Sequence, residues 1–116
     1  MSSRKRIFQV SERIRVIIAN QLLRAADPRF DLVTVTSVMV STDLRNAKVY
    51  WIATGGQERV PDVQEAFAHS AGMFRRAVGQ ELSLRFVPEL KFFYDDTYDA
   101  VEKVEKLFAK INAKGQ

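Results

Sequence analysis

The sequence predicts an α+β domain, a small three-stranded sheet with helices packed mainly on one face. Three observations point there. The chain opens on an apolar stripe at helical spacing. Two runs of strand character follow, joined by six residues of turn chemistry. A second helical stripe then leads through a short strand to a last amphipathic stretch. With 116 residues, 47% of them apolar, the chain is long enough to withdraw roughly 65% of its unfolded surface from water, which sustains one core without disulfide or metal staples. One domain over residues 1–116 is expected, with short flexible ends near 1–4 and 112–116.

Taken in order, Ile7, Val10, Ile14, Ile17, Ile18, Leu22 and Ala25 recur at threes and fours and define the first helix, which Asp27-Pro28 ends. The β-branched run from Val33 forms a strand, with Val33, Val35, Ser37, Met39 and Ser41 on one side and Thr34, Thr36, Val38 and Val40 on the other. Turn residues Ser41 to Asn46 lead into a second strand, Ala47 to Thr54, with Lys48, Tyr50 and Ile52 on one face; the two strands should pair as an antiparallel hairpin. Gly55-Gly56 opens a loop, and Pro61 starts a long helix whose core stripe runs from Val63 to Val78. Glycine inside a helix costs about 1 kcal/mol relative to alanine, so a kink is expected at Gly72, and a second interruption or a C-cap at Gly79. A short third helical piece toward Leu82, a strand from Leu90 to Tyr94, and a last helix carrying Ala100, Val101, Val104, Leu107, Phe108 and Ile111 complete the order.

Composition removes several functional classes. The absence of cysteine excludes disulfides, thiolate zinc sites and a cysteine nucleophile, and one histidine, His69, cannot build a histidine metal site or a convincing triad. The longest apolar run is Val49 to Ala53, too short for a membrane span, so the expected address is the cytoplasm. Asp95, Asp96 and Asp99 offer carboxylates for magnesium, but their place before the last helix also suits capping of its amides. No cofactor is expected.

Charge placement is more informative than the net +4. Residues 1–29 hold seven basic side chains against Glu12 and Asp27, a net +5, which suits a polyanionic partner. Arg4, Lys5, Arg6 and Arg13 sit on the first helix, Arg75 and Arg76 flank the glycine-bearing helix segment, and Arg85 and Lys91 surround the turn into the third strand. Convergence of these groups would give a phosphate-binding track, with Gly72 and Gly79 letting a backbone approach closely. Phe67, Phe74, Phe86, Phe92, Phe93 and Phe108 fall mostly on core-facing positions, which argues against base stacking.

The segments Asp27-Pro28-Arg29, VTVTSVMVSTDLRNAKVYW from Val33, SAGMFRRAVG from Ser70 and LRFVPELKFFYDD from Leu84 together resemble the bacterial ribosome-binding factor A family over about residues 4 to 110. The resemblance implies a type II KH-like fold in which a kinked helix bearing an A-x-G motif replaces the usual glycine loop. It also implies a non-enzymatic assembly factor; separately, the free chain is expected to be a monomer. Such a factor binds the small ribosomal subunit and its 16S rRNA, works beside other assembly factors, assists late maturation and precursor processing, and supports growth in the cold. Gly72 matches the motif glycine, and Ser70 stands where alanine is usual. Longer charged C-terminal extensions are common in that family, and functions tied to them are not expected of this chain.

Two other classes remain open. An RNA-processing enzyme would need an acid–base pair or metal cluster that the sequence does not assemble. A protein-interaction adaptor would use the acidic segment Asp95 to Glu105, five acids against Lys103.

Overall fold

The first apolar stripe buries Val10, Ile14, Ile17, Ile18 and Leu22, the spacing that puts one face of a helix against a core. In the computed structural model, which describes residues 2–114, this stripe belongs to helix α1 (Ser2–Arg24). Strands β1 (Val33–Val40) and β2 (Asn46–Ala53), helix α2 (Val60–Glu81), strand β3 (Glu89–Tyr94) and helix α3 (Asp99–Lys114) follow. The ends expected near 1–4 and 112–116 lie partly outside the described residues.

The sheet order is β1-β2-β3, with β1 and β2 antiparallel and β2 and β3 parallel. A parallel neighbour requires a crossover, and α2 supplies it. Helix α1 lies over β1 and α2 over β3, both on one face, as the sequence implies. That face presents Val35, Val38, Val40, Ala47, Val49, Trp51, Leu90 and Phe92, all buried. Lys48, Lys91, Met39 and Phe93 look out from the other face.

Strict alternation in β1 misassigns its second half. The register pairs Val35 with Trp51 and Ser37 with Tyr50, leaving Thr36 as the extra residue of a β-bulge. The inserted residue reverses the phase, so Val35 shares the core face with Val38 and Val40, and Met39 is exposed. Thr36 is used elsewhere: its hydroxyl donates to Asp95 Oδ2 at 2.6 Å, and Asp95 Oδ1 accepts from the Thr97 amide at 3.0 Å. The Thr36 hydroxyl first, then the Thr97 side chain and, less, its amide hold the Asp95 carboxyl below its ordinary range. Asp95 caps the short 3-10 turn Asp96–Tyr98 that leads into α3, so the capping alternative describes this carboxylate.

The turn chemistry from Ser41 to Asn46 closes the hairpin through Ser41 Oγ, which donates to Asp43 at 2.6 Å and accepts from the Asn46 amide at 3.0 Å. After α1, Asp27 caps a 3-10 turn, Pro28–Phe30, and accepts the Arg29 guanidinium through both carboxylate oxygens. That pairing lowers the Asp27 pKa. The turn delivers Phe30 into the core, where it meets Phe67 and Phe74.

Helix α2 corrects a second expectation. It runs unbroken from Val60 to Glu81, and neither Gly72 nor Gly79 has a positive φ. Gly79 is therefore neither an interruption nor the C-cap, no separate piece forms toward Leu82, and Gly72 lies inside the continuous helix. Leu82 is itself the C-cap, extended, with its amide on the Val78 carbonyl at 2.9 Å. Burial of Val63, Ala66, Phe67, Phe74, Ala77 and Val78 along one stripe outweighs the glycine cost.

Helix α3 has the amphipathic pattern expected, yet Val104, Leu107, Phe108 and Ile111 are about half exposed or more. Its main neighbour is the 3-10 turn before it, so it extends from the domain, and the molecule spans 61 × 38 × 18 Å.

Candidate nucleic-acid interface

Residues 72, 75, 76, 79 and 80 lie three and four apart on α2, on the side away from the buried stripe. There they line an open groove of about 520 Å³ together with Val87 from the loop that follows the helix. Gly79 explains the wall of this groove. A Cβ built there would stand 3.0 Å from Val87 Cγ2, so glycine lets the loop close onto the helix. Arg75 fastens the same loop by donating to the Val87 carbonyl at 3.2 Å, with Glu89 Oε2 3.9 Å from its Nε. Arg76 is exposed beside it.

The residues expected to bind RNA are partly gathered by this geometry. Gly72, Arg75, Arg76 and Gly79 share the groove. Ser70 is half-buried, one half-turn before Gly72. Arg13 reaches from α1 to the end of α2, with Nη2 3.5 Å from the Glu81 carbonyl, a favourable place for a cation near the negative end of a helix dipole. Arg4, Lys5 and Arg6 are exposed in the first turns of α1, about two to two and a half turns from Arg13. Arg85 lies in the loop next to Val87. Lys91 is set apart, because it projects from the open face of the sheet opposite α2, level with Lys48 in the register.

Local pairing sharpens the charge argument. Arg15 donates twice to Glu12, at 3.0 and 3.1 Å, and lowers that carboxyl's pKa. Arg29 is likewise held by Asp27. The two acids of residues 1–29 are thus matched to Arg15 and Arg29, and the surplus rests on Arg4, Lys5, Arg6, Arg13 and Arg24.

A second cleft, of about 570 Å³, lies between Gly55-Gly56 and the start of α3, lined by Tyr94, Asp99, Lys103 and Lys106. Its glycines have φ of 113° and 101° and serve the hairpin exit, where Arg59 donates to the Thr54 and Asp31 carbonyls. Among the described residues no group of three or more His, Asp or Glu is placed to hold a metal ion.

Residues 6–108 match the protein family described as ribosome-binding factor A. The chain belongs to that family. The ribosome-binding factor A of Geobacter metallireducens is 34% identical over 111 residues, covering 95% of this chain and 94% of the relative. That of Citrifermentans bemidjiense is 36% identical over 110 residues, covering 94% and 92%. The fold agrees with two solved structures and one homology model that carry the family's name. The crystal structure of ribosome-binding factor A from Thermus thermophilus superposes with a TM-score of 0.67 at 23% identity, over 74% of this chain and 92% of that one. A solution structure from Thermotoga maritima gives 0.63 at 30% identity, over 73% and 82%. A third is a Thermus thermophilus ribosome-binding factor A homology model fitted into a map of its complex with the 30S subunit; it gives 0.61 at 24% identity, over 73% and 90%.

Gly72 sits at an informative place in the site. Nothing lies within 4 Å of a Cβ built on it, and its backbone is ordinary helix. Gly72→Ala is expected to raise the stability of the free protein by about 0.4–1 kcal/mol, read as a higher melting temperature. The helical backbone at Gly72 is open to any residue, so no angle reserved for glycine is needed there. What remains for Gly72 is space in the groove, so any partner that fills the groove should bind the same variant more weakly although it melts later. Unchanged affinity would remove Gly72 from the interface.

Proposed function

We propose that this chain binds the small ribosomal subunit through its 16S rRNA and acts as a non-enzymatic factor in late subunit assembly. The groove beside α2 is the main contact, and the basic start of α1 is the second. The observation that carries this reading is the groove itself, where two arginines and two glycines of one helix face meet the loop at Val87. Arginine supplies charge-assisted hydrogen bonds to phosphate, and the glycines leave room for a backbone. Family membership adds support, since a relative has been placed in a complex with the 30S subunit.

In this reading the KH-like use of a glycine-bearing helix is carried by α2 without a break in the helix. Action is by occupancy: the bound factor holds rRNA in a conformation that lets maturation of the precursor proceed, a role of most consequence in the cold, when misfolded RNA escapes slowly. Purified chain incubated with labelled precursor rRNA and magnesium should leave the RNA uncut; cleavage would favour a processing enzyme instead. Work beside other assembly factors, in the cytoplasm and as a monomer, belongs to the same proposal.

The test is co-sedimentation with isolated small subunits over a series of salt concentrations. Each neutralised phosphate contributes roughly 0.7–0.9 to the slope of log affinity against log salt, so a site with several arginines should lose affinity steeply. A nearly flat titration would remove the electrostatic basis of the proposal. Binding that survives high salt and depends on α3 would instead favour the adaptor reading through the acidic segment Asp95 to Glu105.

A further inference from the structure

Phe86 departs furthest from its sequence reading. Spacing assigns it to the core, yet it is 52% exposed in the loop between α2 and β3, next to Val87 of the groove. Two guanidinium groups lie against its ring, Arg45 Cζ at 4.8 Å and Arg85 Cζ at 5.5 Å from the centroid. Arg45 comes from the β1–β2 turn, about forty residues earlier in the chain. The fold brings the two segments together by a backbone bond, the Glu89 amide donating to the Arg45 carbonyl at 2.8 Å. Asp43, the acid nearest in sequence to Arg45, makes its hydrogen bonds to the Ser41 hydroxyl and the Arg45 amide.

Two like charges are therefore drawn to one exposed aromatic ring. The attraction of each cation to the ring is worth about 0.5–1 kcal/mol at exposed sites, which helps hold them there. The product is a patch of flat π surface and positive charge at the edge of the α2 groove. Unpaired nucleobases stack on aromatic rings and on guanidinium planes alike, and the adjoining phosphate is drawn by the cations. An acidic peptide would be drawn by the arginines but has no use for the ring.

We propose that Arg45, Phe86 and Arg85 form a stacking site for an unpaired base of single-stranded RNA, at the rim of the α2 groove. This rests on the reading of that groove as a phosphate-binding surface, and it adds base contact to what would otherwise be backbone contact alone.

The experiment measures binding of the full chain to a short labelled oligoadenylate and to an abasic ribose-phosphate strand of the same length. Phe86→Ala should lower affinity for oligoadenylate about tenfold and leave the abasic strand unaffected. Phe86→Leu, which keeps the apolar bulk, should show the same loss, and Phe86→Trp should retain binding. The leucine and tryptophan variants keep the test decisive if the alanine variant melts early. Unchanged oligoadenylate binding in the alanine and leucine variants, or equal weakening of both strands, would overturn the proposal. So would an oligoglutamate of matched charge whose binding falls as much with Phe86→Ala. Arg75→Glu/Arg76→Glu separates the two readings, because it should weaken both strands. If it weakens neither while Phe86→Ala still acts on oligoadenylate, the groove assignment fails and the stacking site stands.

Discussion

Reversing charge at Arg75 and Arg76 together is expected to reduce affinity for the small subunit by roughly tenfold or more for each arginine, the worth of a hydrogen bond to a charged group. The salt slope should also fall by about 1.4–1.8, because two phosphate contacts are lost. The two positions do not carry equal structural cost. Arg76 is exposed on the helix, whereas Arg75 donates to the Val87 carbonyl and faces Glu89. Glutamate at 75 loses the loop anchor and meets a like charge. The Arg75–Glu89 pair is half exposed or more on both sides, so its loss costs at most about 1 kcal/mol. Arg76→Glu alone should leave melting unchanged and still weaken binding. If Arg76→Glu binds normally, the outward face of α2 is not the interface, whatever the double variant does.

The sequence exposes these features unevenly, for physical reasons that particular residues show. Periodicity locates α1, α2 and the hairpin because burial on one face imposes its own period on the apolar residues. It cannot see Thr36, since a bulge is an insertion in phase, and every residue after it changes side. Phe30 is hidden for a related reason: it enters the core from a 3-10 turn of three residues, too short to have a period. The opposite error arises at Phe86 and along α3, where residue type suggests burial and only the tertiary arrangement leaves the side chain in water. For the site, the helix-face spacing of Gly72, Arg75, Arg76 and Gly79 was legible. The role of Gly79 was not, because the need for glycine comes from Val87, eight positions later in the chain and across a loop. Arg45 carried no signal beyond its charge, because its neighbour Phe86 is remote in sequence.

Phe67→Ala should have the largest effect on stability. Phe67 is fully buried at the centre of α2 and stacks on Phe92, with centroids 4.5 Å apart and planes at 15°. Phe30, Trp51 and Phe74 meet it at 4.9, 5.6 and 5.6 Å. It therefore joins the 3-10 turn, two strands and its own helix at one point, and no other ring among the described residues has so many aromatic partners. Truncation leaves a cavity walled by rigid rings that cannot collapse into it, at a cost of about 3–5 kcal/mol. That is a large share of the roughly 5–15 kcal/mol that holds a domain of this kind folded. Melting should fall by about 15 °C or more, and the denaturant midpoint should drop with an unchanged slope, since the same surface is exposed on unfolding. Trp51 provides a local reporter: it is buried and donates through Nε1 to Gln64 Oε1 at 3.0 Å, so its emission should shift on unfolding. Below the new melting point the groove is intact, and subunit affinity should match the native chain, the reverse of Arg76→Glu. A Phe67→Ala protein that melts within a few degrees of the native one would mean that the aromatic cluster is not the centre of the core.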